Sequence, residues 1–568
     1  MRNTFRSTLT VLVALVAVML GLVAMPTTSE AVTVTGRTLL DEIDLDKTAD
    51  KDGEGWTWDA GTQTLTLTDC DLWFSERGFD FEPGVDAKIV VSGNCTIVTA
   101  VGGSLNYGWT YPAFGVVCQT GDPTSSFSFN SAAGDSATLT LGSGYDCTEV
   151  KNYDLSTVTA LISNYSNEWC KSTITIQNLD VVLTGEAATI TGDNVKVEDS
   201  SITVGARMVG GVSFPDPASQ LLSSNGDGAT GGSLVIDNTA ITGTFKDPAN
   251  VFEGDSALDV VNGSVIDLEL PIESFSHRGT FLGSYMGAYG LNAITDLKIE
   301  DSEVSLIFDA STYSGDAWGD ALIGIDVMGN LVIEDSTVTV STAESSASIP
   351  GSKAIHSVGT MTINNSKVTA TAASENAAYE VLADQGLALT GCAVRQGTVQ
   401  AVNTGTAVSQ SDASATTPAG GTVLIDLAAT DATVASVTVA GSEATLGADG
   451  SYSVELPAGS AVPAASDIVV TPTDANATVS TPVTSDGGRT WTLTVTAEDG
   501  ATTSSYTLHV SVPPAPTPGP STTTDSGDTA ASQDGLAATA DPGSAATLVA
   551  LLAVSTGSGA LLASRRLR

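Results

Sequence analysis

One short pattern recurs along the chain and limits its fold more than any other feature. It runs apolar, x, apolar, x, Asp or Asn, small, x, apolar. The first copy is Leu65-Thr66-Leu67-Thr68-Asp69-Cys70-Asp71-Leu72, and a later one is Val195-Lys196-Val197-Glu198-Asp199-Ser200-Ser201-Ile202. Further copies run from Ile174 to Val181, Leu234 to Ile241, Leu297 to Val304, Leu331 to Val338 and Met361 to Val368, with a weaker one from Leu387 to Val394. The last four begin 34, 30 and 26 residues apart. Alternation places Leu297 and Ile299 on one face and Lys298 and Glu300 on the other. Each copy is therefore two short strands about a polar corner, and it cannot bury its apolar face alone. Stacked coils can, sharing one core of Leu, Ile and Val. The expected fold is all-β, a right-handed parallel β-helix over residues 32–405. About a dozen coils at ~4.8 Å each give a rod of roughly 60 Å. A stack of antiparallel sandwiches is the alternative, disfavoured by the scarcity of Asn-Gly and Asp-Gly hairpin turns.

Composition narrows the function classes. With 65 acidic residues against 21 basic ones, the formal charge is −44. Such a chain lacks the cations that neutralise phosphates, which argues against nucleic acid and against an anionic lipid surface. Only three His are present (His277, His356, His509), so zinc sites and histidine catalysis have little material. HExxH, GxSxG and P-loop motifs do not occur. Gly226 to Gly231 fits GxGxxG but leads into a strand, the wrong context for a dinucleotide.

The two ends carry export signals. Arg2 and Arg6, the apolar stretch Val11 to Ala24, and small residues up to Ala31 read as a signal peptide over residues 1–31, cleaved after Ala31. A second apolar run, Ala545 to Ala563, precedes Ser564-Arg565-Arg566-Leu567-Arg568 and is long enough for a membrane helix with its arginines in the cytoplasm. Residues 513–535 are rich in Pro, Ser, Thr and Gly and read as a tether. Leu536-Ala537-Ala538-Thr539-Ala540, with the apolar run and basic tail, resembles a Gram-positive cell-wall sorting signal of the LAxTG variety over residues 536–568. Ala540 stands where that family has Gly. The resemblance implies sortase and peptidoglycan as partners, and otherwise a plain membrane anchor. Either way the intervening chain is extracellular.

Gly55-Trp56-Thr57-Trp58-Asp59, followed by Thr62 to Leu67, resembles the opening coil of bacterial surface β-helix proteins described as pectate-lyase-like and carbohydrate-binding. The resemblance covers roughly residues 50–400 and carries no catalytic residues. After a polar link the texture changes. Val434 to Val439, Ser451 to Leu456, Asp467 to Thr471, Trp491 to Thr496 and Tyr506 to Val510 read as strands of a small β-sandwich over residues 424–512. Its ending resembles the cadherin-like modules of bacterial surfaces, which act as spacers or adhesion units.

Candidate site residues follow from chemistry. Asp69, Asn178, Asp199, Asn238, Asp301, Asp335 and Asn365 share one corner position, where their side chains can bond turn backbone. Aligned carboxylates also suit Ca²⁺, with Asp301 and Asp335 the best pair. The acidic segment Asp44 to Glu54 offers Asp50 and Asp52 as weaker metal candidates. Glu198, Glu300 and Glu334 form an outward acidic stripe. Trp73, Trp109, Tyr111, Trp169 and Tyr313 are the sugar-stacking candidates, with Trp109, Tyr111 and Trp169 foremost, in a chain with 5% aromatics. Five cysteines, Cys70, Cys95, Cys118, Cys147 and Cys170, fall 25, 23, 29 and 23 residues apart, about one coil each, so at least one disulfide is expected among them. No catalytic residue is assigned, because no Arg sits among aligned Asp residues in a repeat copy. The expected function is that of a non-enzymatic surface adhesin or carbohydrate-binding protein, meeting an extracellular glycan or a host or neighbouring surface protein. A wall-attached polysaccharide lyase or hydrolase and a purely architectural stalk are the alternatives.

Overall fold

The computed structural model describes residues 38–517, apart from 76, 100, 103–108, 111–112, 117–122, 144–161, 165–171, 187–189, 208–219, 225–231, 247, 249, 273–287, 312–321, 343–352, 373–380, 402–405 and 410–420. The expected signal peptide, most of the tether and the sorting segment lie outside these residues. Among the described residues no helix is long and apolar enough to cross a membrane. The regular structure is strand throughout, save the short 3-10 turn Ala465–Asp467.

From Thr64 onward the chain visits three sheets in strict rotation. Asp296–Glu300 lies in sheet 1, Glu303–Asp309 in sheet 2 and Leu322–Val327 in sheet 3. The next coil repeats the cycle with Leu331–Glu334, Thr337–Thr342 and Lys353–Ser357. Successive coils pair parallel and in register, Leu297 with Leu331, Val304 with Val338 and Ile325 with Ile355. This is the strand connectivity of a parallel β-helix, with 13, 12 and 13 strands in the three sheets among the described residues. The recurring sequence pattern is the sheet 1 strand, the corner and the start of the sheet 2 strand.

The corner explains the Asp/Asn position. Asp69, Asn178, Asp199, Asn238, Asp301, Asp335 and Asn365 all have φ between 42° and 51°. That left-handed conformation is costly for most side chains and tolerated by Asn and Asp. In the weaker copy Gly391 takes the place, with φ of 65°. The next residue is buried at most corners, as at Cys70, Leu179, Thr239, Ser302, Ser336 and Ser366. Ser264, Ser302, Ser336 and Ser366 form a hydroxyl ladder there. Ser336 Oγ accepts the Ser302 N–H at 3.1 Å and donates to the Glu334 carbonyl at 2.6 Å; Ser366 Oγ does the same for Ser336 N–H and the Asn364 carbonyl. Each hydroxyl thus satisfies a turn amide of the coil beside it, where an apolar residue would leave it orphaned.

Inside, one continuous core runs the length of the stack. Leu297, Ile299, Leu306, Phe308, Ile325, Leu331, Ile333 and Ile355 are all essentially inaccessible. Both ends of the stack are closed by strands of opposite direction. At the start, Lys51–Gly53 and Trp56–Asp59 pair antiparallel ahead of Thr64–Thr68, and Trp56 and Trp58 roof the core over Phe79 and Phe81. At the far end, Thr406–Ser409 pairs antiparallel with Thr398–Ala401 at the edge of sheet 3, and in sheet 2 Thr422–Leu427 is inserted antiparallel between Lys367–Ala372 and Cys392–Gln396. Sequence reasoning had assigned no strand there.

The second unit has the expected strands Val434–Val439, Tyr452–Glu455, Ile468–Pro472, Thr490–Thr496 and Thr503–Ser511, in two sheets around Tyr452, Trp491, Leu493 and Leu508. It meets the stack through Arg395, whose guanidinium forks onto Glu498 at 2.5 and 2.6 Å and also donates to the Leu427 carbonyl. Glu498 is only 7% exposed and accepts the Ala429 N–H as well. The Arg395 hydrogen bonds hold its carboxyl below the usual range.

The corner geometry predicts the response to substitution. Asp301→Val forces a β-branched residue into φ of 48° and should cost about 1–3 kcal/mol. Asp301→Gly and Asp301→Asn should lie within a few tenths of wild type, roughly ±0.5 kcal/mol. Denaturant unfolding of the stack transition checks the ranking.

Candidate functional site

Sheet 3 carries a feature that the two-strand pattern conceals. Its inward column is Phe79, Phe114, Ile190, Leu222, Phe252, Leu291, Ile325, Ile355 and Val381, all buried. The residues that follow in each strand are, in backbone register, Asp44, Asp80, Gly115, Ser163, Thr191, Ser223, Glu253, Asn292, Asp326 and His356, ending at Leu382. Gly115, Thr191 and Ser223 are buried, whereas Asp44 is exposed and Asp80, Glu253, Asn292, Asp326 and His356 are partly exposed. A single file of mostly polar residues thus runs in register along sheet 3, covered in its middle and accessible toward both ends. In sequence the connection from a sheet 2 strand to the next sheet 3 strand is long, as from Asp309 to Leu322 and from Thr342 to Lys353, whereas that from sheet 3 to sheet 1 is mostly short, as from Val327 to Leu331. Long connections on a rigid scaffold are where binding residues concentrate.

The file holds three ionisable clusters. At one end Asp326 Oδ1 meets His356 Nδ1 at 2.6 Å, and His356 Nε2 lies 3.8 Å from Asp384 Oδ2. The imidazole sits between two carboxylates with 12% of its side chain exposed. In the middle, burial pushes the Glu253 carboxyl up from its usual range, opposed by the amide of Asn250 at 3.1 Å; Asp255 adds a smaller upward push. At the other end Glu42, Asp44 and Asp80 bring carboxylate oxygens within 4.8 Å of one another, the group of three metal-ligating side chains found that close among the described residues. Arg77 stands 3.9 Å from Glu42 and 3.8 Å from Asp80. Burial pushes Asp80 up to about 7, against the pull of Arg77 and with help from Glu42 and Asp44. Arg77 already supplies this cluster with a cation, and Asp80 has a proton within reach.

The residues singled out from sequence are placed as follows. Asp301 and Asp335 occupy consecutive corners, where their backbone conformation accounts for them. Asp50 accepts the Ala60 N–H at 2.9 Å beside the antiparallel hairpin that contains Asp52. Glu198 and Asp237 are neighbours on sheet 1, as are Glu300 and Glu334; Lys196 pairs with Glu198, and Lys298 with Glu300 at 2.5 Å. The stripe is therefore acidic but partly neutralised. The backbone of Trp109 pairs with Gly102. Tyr111, Trp169 and Tyr313, like Cys118, Cys147 and Cys170, lie outside the described residues. Trp73 is 8% exposed and donates its indole N–H to Asp71 at 2.7 Å, an anchored ring.

The polar file was missed because its strands do not alternate cleanly: in Leu322–Val327 four consecutive residues are buried before Asp326. A signal for it exists: Glu253, Asn292, Asp326 and His356 each stand five residues before Leu258, Leu297, Leu331 and Met361, the first inward residues of the next sheet 1 strands. No family model matches this chain, and no curated protein or solved structure is similar to it.

Asp80 sets a pH dependence. Its native carboxyl keeps a proton up to about pH 7, whereas an unfolded Asp ionises near pH ~3.9. The stability it contributes is full below the unfolded value and is lost as pH rises through the native one. Asp80→Asn should therefore gain in melting temperature over wild type as pH rises from 4 to 7, with no further gain above pH 8. A difference that is flat across that range would contradict the assignment.

Proposed function

We propose that this protein is an extracellular, surface-anchored, non-enzymatic adhesin or carbohydrate-binding protein, a right-handed β-helix that binds a polymeric glycan along the outer face of sheet 3. The observation that carries the reading is the run of partly exposed polar residues Glu253, Asn292, Asp326 and His356, in register on four successive coils. It spans three coil steps, roughly 14 Å at ~4.8 Å per step. A small ligand needs a concave pocket; a row of carboxyl, amide and imidazole groups at constant spacing suits an extended chain of hydroxyl-rich units. Apart from His356 the run is acidic or amide-bearing, so neutral and basic sugars are favoured over uronates. Polyanions would need a bridging cation such as Ca²⁺. Export through residues 1–31 and wall attachment through Leu536 to Ala540, by sortase onto peptidoglycan, complete the proposal; the C-terminal apolar run anchors the chain in the membrane where sortase does not act.

A second reading has its own observation. Glu253 has a raised pKa, and Asp326 stands two coil steps away along the same file, about 10 Å at the backbone. Paired carboxyls at near that separation act as acid and base in inverting glycoside hydrolysis, typically ~6.5–9.5 Å apart. A polysaccharide hydrolase on this face is the competing function.

Two measurements separate these readings. On a glycan array, with and without Ca²⁺, the described chain should bind a polymeric neutral or amino sugar, and Asn292→Leu should weaken that binding at least ~10-fold without moving the melting temperature. Silence under both conditions favours the architectural stalk. Reducing-end assays on the bound polymer should show no turnover. Release of product that Glu253→Gln abolishes would displace the adhesin reading in favour of the hydrolase.

A further inference from the structure

We propose that Cys70 and Cys95 close into a disulfide that staples the first two coils of the stack, a covalent site separate from the ligand face. Alternation turns Cys70, Leu72 and Phe74 inward from the first coil and Cys95 and Ile97 inward from the second. The two strands are parallel and in register, with Asp71 opposite Thr96 and Leu72 opposite Ile97. The Thr96 N–H donates to the Cys70 carbonyl at 2.7 Å, which carries the register back to the cysteines. Neighbouring strands lie ~4.8 Å apart, inside the Cα separation of roughly 4.4–6.8 Å that a disulfide spans. Both thiols are free, 4% and 1% exposed; the Cys95 thiol donates to the Ser92 carbonyl at 3.7 Å. The third described cysteine, Cys392, directs its thiol to the Ile363 carbonyl at 3.3 Å.

The thiolate of one cysteine attacks one sulfur of an oxidant disulfide, such as oxidised glutathione or a thiol–disulfide oxidoreductase, and releases one oxidant thiolate. The other cysteine then gives up its proton, and its sulfur attacks that of the first. The Cys70–Cys95 bond forms and the mixed disulfide breaks. The second oxidant thiolate leaves, so two thiols are oxidised as one disulfide is reduced to two thiols. Because both sulfurs are buried in the finished core, this exchange belongs to the folding chain. The position gives the bond its purpose. The first coil has a full coil on one side only, and its other face is covered by the hairpin of Trp56–Asp59. End coils of a solenoid open most readily, and a bond there restrains the fraying end.

The test uses the full chain, refolded with oxidised glutathione as the oxidant. Free thiols are alkylated, and the unreduced protein is digested and mapped by mass. The proposal expects a linked peptide pair containing Cys70 and Cys95, lighter than the two free peptides by two hydrogens. It also expects reductant to lower the first thermal transition by on the order of a few degrees, a shift absent from Cys70→Ser/Cys95→Ser and retained in Cys392→Ser. Alkylation of both residues in the oxidised protein, or a bridge from either one to Cys118, Cys147, Cys170 or Cys392, would overturn it.

Discussion

In-register parallel pairing between successive coils is the constraint on which everything else depends. It fixes which residues face inward, because a one-residue slip would turn every side chain to the other face. The corner residues enforce it. A left-handed backbone at Asp199, Asn238, Asp301, Asp335 and Asn365 ends each sheet 1 strand at the same height. The buried hydroxyl that follows ties the turn to the next coil, as Ser336 does for Ser302. The side-chain amide of Asn238 adds a bond to the Asp199 carboxylate at 2.6 Å. Backbone conformation, hydroxyl bonding and hydrophobic alternation thus agree on one register. That agreement across levels is what gives a repetitive sequence a single native state.

A parallel stack leaves an unpaired edge in every sheet at each end, and open edges invite association with other chains. The molecule answers with reversed strands. Lys51–Gly53 and Trp56–Asp59 close sheet 1 at the start, and Thr406–Ser409 closes sheet 3 at the finish; in sheet 2 Thr422–Leu427 is inserted antiparallel between Lys367–Ala372 and the edge strand Cys392–Gln396. The inserted strand also hands the chain to the second unit. Arg395, on the sheet 2 edge strand, binds Glu498 of the sandwich and the Leu427 carbonyl at once. The same stretch of chain therefore completes one unit and positions the other.

The repeat was legible because its chemistry is local. Leu297, Ile299 and Val304 mark the inward faces, and Asp301 marks the turn. The sandwich strands from Val434 to Val510 were legible for the same reason, since each alternates over several residues. Sheet 3 was not, because strands such as Phe79–Phe81 and Val381–Ala383 are three residues long and too short for a period to show. Their polar members, Glu253, Asp326 and His356, gain meaning only once the register lines them up. The inserted strand Thr422–Leu427 was invisible for a different reason: its partners, Lys367–Ala372 and Cys392–Gln396, are distant in sequence and run the other way. The calcium reading of the corner drew on residue type alone, and the left-handed backbone supplies a structural reason for the same Asp and Asn.

The most direct measurement of the coil register is a spin–spin distance along one column. Lys88 and Lys298 both lie in the outward column of sheet 1, joined in register through Ser128, Thr175, Lys196, Val235 and Asp259. Nitroxides on non-natural residues at positions 88 and 298, read by pulsed electron resonance, should give one narrow distribution centred about 29 Å, six coil steps of ~4.8 Å. A broad distribution, or one centred elsewhere by more than the reach of the labels, would contradict the stacked register and the polar file derived from it.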